Sequence, residues 1–485
     1  YFAEVFHEKG GFDIVIANPP YLGEKGHKEM FREIKKGNLG RFYQGKMDLF
    51  YFFLHLALNL GKQNSNVAFI TTDYYPTATG AKKLRQDFRE RAIIKNLMNF
   101  NELKIFESAL GQHNMITILS KGHDDSTNAG TCVTEQQGIA APQALQSILG
   151  WQDKQTIYYE VPQKDLYEGE ECYIRLTGTG KTVSNKLQAL LNKVKNLGQS
   201  LNTICTINQG VVSGCDYVSS RNIKKLENTS NIQDGDGIFV FDLENERDRK
   251  TISSFSDKER RLLRPFFKNT DTKRYWCKSK ANKLLLYLDR ECSNIDKYPN
   301  IRIHLQKFYP ILVDRREVQT KRIKYFQLQW PRVENIFIGP KITVPYRSEK
   351  NSFAYNDYDW FCRSDSYVIT SKDPDVELKY ILSLLNSKLY YLWLYHKGKR
   401  KGRTLELFQV PLSEIPIMTI DKHGQKPFIT MVDKILSITK DDEYPFSPDK
   451  QAQVKEYERQ IDQMVYQLYD LTWEEIAIVK GFDKK

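Results

Sequence analysis

The chain has 485 residues, of which 40% are hydrophobic and 12% aromatic, enough for two or three folded domains and too many for a mainly disordered protein. Its net charge of +12 favours a polyanionic partner, because basic side chains that neutralise phosphates release counterions. No apolar run is long enough for a membrane span, and the seven cysteines include no CxxC pair, which argues against a membrane protein, a disulfide scaffold and a metal site. We expect a cytoplasmic protein without a metal.

The first structural signal is an apolar run that ends in a polar, proline-rich loop. Residues 14–17 read Ile-Val-Ile-Ala, which predicts a strand buried in a parallel α/β sheet, and Asn18-Pro19-Pro20-Tyr21 follows directly. Sheets of this kind bind ligands at the carboxyl ends of their strands. The loop therefore lies where chemistry is usually carried out.

The composition of this loop suits an incoming amino group. The two prolines stiffen the backbone, and Pro19 holds Asn18 extended. The side-chain oxygen of Asn18 and the carbonyl of Pro19 could accept both hydrogens of an amine conjugated to a ring, while Tyr21 offers a ring for stacking. This chemistry needs no histidine, metal or paired carboxylate. The alternative is a proline turn that merely closes a strand.

The next segments alternate between helical and strand patterns. We predict helices at residues 46–60 and 81–91, a strand at 66–72, and a final pair of strands at 93–100 and 115–120. This alternation predicts a parallel core that ends in a hairpin at one edge. Residues 124–155 are polar and rich in glycine, alanine and glutamine, which favours a surface excursion, and a connecting helix follows at 181–197.

The loop Asn18-Pro19-Pro20-Tyr21 in this setting resembles motif IV of the amino-methyltransferases, above all the N6-adenine DNA methyltransferases. The resemblance implies that these four residues are catalytic, that Asn18 also contacts the cofactor, and that S-adenosylmethionine is the methyl donor. Helix 46–60 resembles motif V, which makes Phe53 the residue lining the cofactor's adenine. On the residues alone, a buried role for Phe53 is at least as good.

Residues 103–115 resemble motif VIII of the same enzymes. The resemblance implies that Phe106 packs on a flipped base opposite Tyr21, with His113 and Asn114 as further contacts to the base or its phosphates. Two aromatic rings would offset much of the cost of unstacking the base, since each stack is worth roughly 1–3 kcal/mol. A single phenylalanine beside a strand is otherwise more often a core residue.

A second α+β region spans about 201–417. In chain order, its landmarks resemble the C-terminal target-recognition domain of gamma-class adenine methyltransferases, known from the Taq methyltransferase and the type IIG restriction-modification enzymes. The resemblance implies binding to double-stranded DNA, with Gln209 and Arg347 as contacts. The landmarks are Asn208-Gln209-Gly210, Ser213-Gly214, residues 263–275, 340–347, 385–387 and 412–416.

Two basic stretches are candidates for contact with DNA. Residues 397–403 read KGKRKGR, in which two glycines let the chain approach phosphates closely, although a solvated basic loop is the alternative. Residues 315–322 form another stretch near Trp330. The cations that we assign to DNA in the first stretch are Lys397, Lys399, Arg400, Lys401 and Arg403.

The predicted fold class is α/β: a partial Rossmann-like methyltransferase sheet, then an α+β target-recognition domain and a helical C-terminal segment, which includes residues 454–481. We predict the catalytic part at 1–124, a connector at 125–200, the recognition domain at 201–420 and a helical cap at 421–485. The apolar spacing near the C-terminus favours an amphipathic cap on the recognition domain.

Complete gamma-class enzymes carry a glycine-rich cofactor loop before the motif IV strand, and no such loop follows an apolar strand here. Gly178-Thr179-Gly180 lies in the polar connector. We expect the main cofactor grip to lie in a missing N-terminal half or a partner subunit. The opening strand would then expose an unpaired edge and apolar faces, and this chain alone would have little activity.

The predicted function is site-specific methylation of adenine N6 in a restriction-modification system. A protein glutamine methyltransferase uses the same tetrapeptide but does not need a large basic recognition domain. Cytosine-N4 methylation is chemically closer, and a DNA-binding specificity subunit or an inactive relic is the alternative without catalysis.

Overall fold

The structure is a computed structural model that describes residues 2–106, 113–176, 184–226, 231–401, 404–441 and 443–482. The chain divides into two compact units, residues 1–191 and residues 192–485. The finer division into four ranges remains a prediction.

The first unit is built on a six-stranded mixed sheet whose spatial order is β1-β2-β4-β3-β5-β6. β1 runs parallel to β2, β4 is antiparallel to both β2 and β3, and β5 is parallel to β3. The carboxyl ends of β1, β2, β3 and β5 therefore share one edge with the start of β4. The strands are β1 (Phe12–Ala17), β2 (Gly61–Thr72), β3 (Ala92–Asn99), β4 (Asn114–Lys121), β5 (Asn128–Thr134) and β6 (Thr156–Pro162).

This order corrects two predictions. β4 does form a hairpin with β3, but it lies inside the sheet between β2 and β3 rather than at an edge. The surface excursion at 124–155 is also wrong where the chain forms β5, which pairs with β3 and β6. Which strand lies next to which depends on contacts between distant residues, and the local polarity of β5 concealed its role.

The predicted helices of this unit are confirmed. Asp48 caps the helix at residues 49–60, and its side chain accepts a hydrogen bond from the Phe50 amide, as expected at an N-cap. Phe50, Tyr51 and Phe52 of this helix are buried in the core of the unit, against which Val15 and Ala17 of β1 also pack. The helices are α1 (Ala3–Lys9), α2 (Lys28–Lys36), α3 (Leu49–Leu60), α4 (Lys82–Arg91), α5 (Pro142–Leu149) and α6 (Ser184–Leu197).

Among the described residues, β1 pairs with β2 and with no other strand, so it is an edge strand of the sheet. On the face away from α3, the side chains of Ile14 and Ile16 are 59% and 75% exposed. The prediction of an unpaired edge with an exposed apolar face is confirmed, and the prediction of a strand buried on both faces is wrong. Unpaired edges with exposed apolar side chains are sites at which further strands or chains pair.

The described residues of the second unit form two four-stranded sheets, a three-stranded sheet and a two-stranded sheet of Gln199–Ser200 with Pro416–Ile417. The first sheet is antiparallel throughout, in the order Cys205–Gln209, Ser366–Ser371, Lys341–Pro345 and Ala354–Asn356. The second has the order Val240–Asp242, Lys283–Leu286, Leu263–Phe267 and Phe361–Cys362, and the third pairs Thr404–Glu406 with Arg347–Ser348 and Arg400–Lys401. The helices are Leu201–Ile204, Glu246–Ser253, Asp257–Arg260, Pro299–Gln306, Tyr309–Val313, Arg316–Gln319, Leu378–Asn386, Lys388–Lys397, Gln409–Ser413, Lys422–Thr439, Pro448–Leu468 and Trp473–Phe482.

Buried polar contacts attach the C-terminal helices to the rest of this unit. On helix Pro448–Leu468, Asp462 accepts a hydrogen bond from the Lys388 amide at 2.8 Å, and Glu458 pairs with Arg274. The predicted helical C-terminal segment is confirmed. In the described ranges, none of the helices combines the length and the apolar character needed to cross a membrane.

The Asp462 carboxylate makes a testable contribution to stability. Burial raises its pKa from 3.8 to about 6, so its ionisation in the folded protein is unfavourable. The protonated carboxyl therefore favours folding below pH 4, and this contribution to stability is lost as the pH rises through 6. It amounts to roughly 1.4 kcal/mol for each unit by which folding shifts the pKa. Asp462→Asn should therefore raise the melting temperature at pH 8 more than at pH 4.5, measured by calorimetry of the full chain.

Asp449→Asn on the same helix is the matched control, because the Asp449 side chain is exposed. It should leave the pH dependence of the melting temperature unchanged. Equal effects of Asp462→Asn at both pH values would contradict the assignment.

Candidate functional site

The Asn18-Pro19-Pro20-Tyr21 loop leaves the carboxyl end of β1 at the shared edge of the sheet. Pro19 is buried, whereas Asn18 and Pro20 are exposed. The hydroxyl of Tyr21 donates to the side-chain oxygen of Asn18 at 2.8 Å and lies 3.1 Å from the carbonyl oxygen of Ile70 in β2. The carboxamide of Asn18 is therefore oriented by Tyr21, which is itself anchored on the neighbouring strand.

The loop is then tied to the start of α3. The Leu49 amide donates to the Leu22 carbonyl at 2.9 Å, and the carboxylate of Asp48 accepts the Tyr74 hydroxyl at 2.6 Å. Burial raises the pKa of Asp48. This carboxylate thus holds the N-terminus of α3 and an aromatic ring that is 41% exposed at the sheet edge.

The ring of Tyr21 is half-buried and packs edge-to-face on Phe50, with ring centroids 6.2 Å apart. Burial raises the pKa of the Tyr21 phenol, and the charge of Asp48 raises it further. The phenol consequently remains protonated at neutral pH and can donate to Asn18.

Polar residues from the other strands meet at the same edge. Asn99, at the end of β3, donates to the Asp73 carboxylate at 3.2 Å, and the Asp73 amide donates to the His113 carbonyl at 3.0 Å. The ring Nδ1 of His113 lies 2.6 Å from the Asn101 carbonyl oxygen. These bonds join the ends of β2 and β3 to the start of β4.

Asn114 and Thr72 face each other across β4 and β2 at this edge, and both are buried. In the described part of the chain, Nδ2 of Asn114 and Oγ1 of Thr72 have no hydrogen-bond partner. Buried polar atoms without a protein partner are rare and mark places where solvent or a ligand completes the bonding.

The two further aromatic residues predicted for the site, Phe106 and Phe53, lie in different segments and differ in exposure. Phe106 is half-buried, and among the described residues the ring contact of Tyr21 is with Phe50 rather than with Phe106. Phe53 is 37% exposed on α3, although its neighbours Phe50 and Phe52 are buried. The base-stacking role of Phe106 and the cofactor role of Phe53 remain predictions.

In the second unit, the basic stretch is built around one buried carboxylate, that of Glu406. Arg347 donates to it at 2.8 Å, and the Lys399 ammonium lies 3.3 Å from its other oxygen. The guanidinium of Arg400 stacks over the ring of Tyr395, 3.8 Å from its centroid. Lys397 ends the helix before this sheet. Arg347, Lys399 and Arg400 are thus held in defined positions by neighbouring side chains.

The second basic stretch is partly internal. Arg315 is buried and donates to the carbonyls of Leu312, Ser213, Gln327 and Tyr325, so its role is structural. Burial lowers its pKa to about 10.

Gln209 is also engaged within the protein. It donates to the Ser364 carbonyl at 2.7 Å and accepts from Arg332 at 3.1 Å. Its predicted contact with DNA remains a prediction.

Several predicted features lie outside the described residues: Arg403, the Gly178-Thr179-Gly180 run and residues 107–112 of the motif VIII segment. Within the described ranges, no group of three or more histidine, cysteine, aspartate or glutamate side chains is arranged to hold a metal ion.

The sequence predictions omitted three residues that organise these sites. Asp48 was readable as a helix cap, but its bond to Tyr74 joins residues 26 positions apart. Glu406 and Arg332 carried little local signal, because Glu406 pairs with Arg347, 59 positions away, and Arg332 donates to Gln209, 123 positions away.

Comparisons with known proteins match both units. Residues 1–106 match the family described as Eco57I restriction-modification methylase, and residues 266–417 match the TaqI-like C-terminal specificity domain. The Type II methyltransferase M.HindII of Haemophilus influenzae is 22% identical over 439 residues, which cover 86% of this chain and 76% of that protein. M.HincII of the same species is 24% identical over 432 residues, which cover 86% and 75%.

The fold is similar to that of the Type IIL restriction-modification enzyme MmeI, solved in complex with DNA. The TM-score is 0.62 at 15% identity, and the match covers 96% of this chain and 56% of that one. The chain therefore spans about three quarters of the two curated relatives and just over half of MmeI. The predicted fold class is confirmed, and so is the resemblance to restriction-modification methylases with a TaqI-like specificity domain.

The Asp48 contacts lead to a stability prediction. Asp48→Ala removes the cap of α3 and leaves the Tyr74 hydroxyl without its acceptor, so we expect a loss of about 2 kcal/mol in the free energy of unfolding. Tyr74→Phe removes the second contact alone and should cost less than half as much. Chemical denaturation of the two variants and the wild-type chain measures both losses in the free energy of unfolding. Equal losses would contradict the capping role.

Proposed function

We propose that the chain forms the target-base site and the DNA-recognition part of a restriction-modification methyltransferase that methylates adenine N6 in duplex DNA. The observation that carries this proposal is the Tyr21–Asn18 hydrogen bond at the carboxyl edge of the sheet, within the segment that matches a restriction-modification methylase. The match of residues 266–417 to a specificity domain supports site-specific DNA as the substrate.

The proposed chemistry depends on oriented acceptors. The amide oxygen of Asn18 accepts one hydrogen bond from Tyr21 and retains a second lone pair, and the Pro19 carbonyl belongs to the next residue of a stiff backbone. Together they would accept both hydrogens of the adenine amino group. Electron density would then return to N6, so that the N–C bond could form as the C–S bond of the methylsulfonium donor breaks and leaves a neutral thioether, and the surplus N6 proton would pass to solvent.

A base can reach these acceptors only outside the double helix, so the proposal includes base flipping. Tyr21 would contact one face of the base, and Phe106 the other. The orphan donor of Asn114 and the orphan hydroxyl of Thr72 lie at the same sheet edge and are suited to polar atoms of the ligand.

S-adenosylmethionine supplies the methyl group as a sulfonium when it is bound. Asn18 and Phe53, which are both exposed, would contact it. They would contact only part of the molecule. We propose that the exposed edge of β1, with Ile14 and Ile16, packs against a further segment that carries the main cofactor loop.

In the recognition part, Arg347, Lys399 and Arg400 would contact DNA phosphates, together with Lys397, Lys401 and Arg403. Glu406 keeps the first two in place and offsets part of their charge. Such contacts carry affinity and little sequence information.

Cytosine-N4 methylation uses the same acceptor geometry and remains the second candidate reaction. Nucleoside analysis of the modified DNA separates the two. The specificity-domain match disfavours a protein glutamine methyltransferase, and loss of methyl transfer in every assay would favour a DNA-binding specificity subunit or a relic.

Substitution of Asn18 tests the proposed reaction. In the full-length protein, Asn18→Ala should lower methyl transfer to duplex DNA by about 100-fold or more, because an oriented acceptor is removed. Tyr21→Phe keeps the ring and removes the hydrogen bond to Asn18, so about tenfold is expected. Asn38→Ala, an exposed asparagine in the same unit, is the control. Normal transfer by Asn18→Ala would refute the assignment.

Cofactor binding gives a separate prediction. Titration calorimetry of the 485-residue chain with S-adenosylmethionine should give no tight binding, because the available contacts cover only part of the molecule. Micromolar or tighter binding would contradict the proposal that the main cofactor loop lies elsewhere.

A further inference from the structure

A second arginine site in the recognition unit differs from the basic surface around Glu406. It lies where the chain leaves strand Cys205–Gln209. Trp330 is joined to Val212 by two backbone hydrogen bonds of 2.8 and 3.0 Å, yet its side chain is 42% exposed. Arg332 follows two residues later. A backbone held this firmly presents the Trp330 side chain to solvent in a defined position.

Arg332 is held from three sides. Its Nε donates to the Gly210 carbonyl at 3.3 Å, its Nη2 donates to Oε1 of Gln209 at 3.1 Å, and its own carbonyl accepts the Tyr287 hydroxyl at 3.0 Å. Its φ of 67° lies in the left-handed region, which costs a residue with a side chain about 1–3 kcal/mol. The surrounding contacts therefore maintain an unfavourable backbone conformation.

The supports of Arg332 are themselves rigid. A Cβ at Gly210 would lie 2.2 Å from the Arg363 carbonyl oxygen, so the backbone here packs too closely for any larger residue. Gln209 uses its amide nitrogen on the Ser364 carbonyl, which orients its oxygen towards Arg332. Gln209 is thus suited to positioning Arg332 rather than to contacting DNA itself.

The charge of Arg332 lacks a carboxylate partner. Arg264, Arg274 and Arg347 in the same unit each pair with a glutamate, whereas no carboxylate lies within 4.0 Å of Arg332 among the described residues. Burial lowers the pKa of its guanidinium. Of its five N–H groups, those on Nη1 have no partner in the described part of the chain. A half-buried cation of this kind is costly unless a ligand supplies acceptors.

We propose that Arg332 is a specificity-determining residue that reads a guanine in the DNA recognition sequence, with Gln209 as its positioning residue and Trp330 beside the base pair. This inference rests on the proposed binding of DNA. The fixed planar fork matches the paired O6 and N7 acceptors of guanine in the major groove, which arginine contacts more often than any other base edge. The rigidity of the site suits discrimination between bases, since a phosphate contact requires no such fixed orientation.

The test is selection of binding sites by the full chain from a random DNA library, followed by affinity measurements over a range of salt concentrations. The wild-type chain should enrich a motif that contains a fixed G·C pair. Arg332→Ala should lose the preference at one such pair by roughly 5- to 150-fold, with the salt dependence of the affinity unchanged. Arg332→Lys, which keeps the charge but not the fork, should lose the same preference and guards against misfolding of the alanine variant.

Arg400→Gln is the matched control for a cation proposed to contact phosphate. It should keep the motif, weaken binding to all sequences equally and reduce the slope of log K against log salt by about one. Gln209→Ala should weaken the preference at the same pair that Arg332→Ala affects.

The inference would be overturned by an unchanged motif in folded Arg332 variants, or by uniform weakening with a reduced salt slope, as for Arg400→Gln. A wild-type chain that selects no sequence overturns it as well. Because binding-site selection requires no methyl transfer, a motif that changes with Arg332, together with undiminished methyl transfer by Asn18→Ala in the full-length protein, would refute the proposed reaction and support this inference.

Discussion

The parallel pairing of β1 with β2 is the constraint on which the candidate active site depends. The register Ile14↔Asn66 to Ala17↔Phe69 brings the loop to the end of β2, but Pro19 and Pro20 have no amide hydrogen with which to extend the ladder. The hydroxyl of Tyr21 lies 3.1 Å from the carbonyl oxygen of Ile70, the next residue along β2, and its single proton is donated to Asn18 at 2.8 Å. The Tyr21 side chain thus lies beside β2 past the prolines and orients Asn18.

The antiparallel insertion of β4 completes the site in a way that a parallel sheet would not. Because β4 runs opposite to β2 and β3, its first residue lies at the edge where those strands end. His113 and Asn114 therefore meet Asp73 and Asn99, which lie far from them in sequence. The site combines residues that follow strands with residues that precede one.

Local sequence predicted the elements of this protein better than it predicted their arrangement. The helix at 49–60 followed from its dense apolar residues, the helix at 82–91 from its helical composition, and the exposed edge of β1 from the motif order. The sheet order did not, because β5 is polar and pairs with strands that are distant in sequence. The roles of Gln209 and Glu406 were hidden for the same reason. Gln209 accepts a hydrogen bond from Arg332, 123 positions away, and Glu406 pairs with Arg347, 59 positions away.

Arg347 and Arg332 in the recognition unit are held by different kinds of partner, and this difference has a physical consequence. Arg347 and Lys399 share the buried carboxylate of Glu406, which lowers the cost of holding cations close together and leaves a net positive surface. Such a surface attracts DNA of any sequence. Arg332 is held by a carbonyl and an amide, so its orientation is fixed while its charge is not neutralised. The free-energy cost of holding this half-buried cation is offset only by a base whose acceptors are correctly oriented. A cost that one base offsets and the other bases do not is what discriminates between DNA sequences.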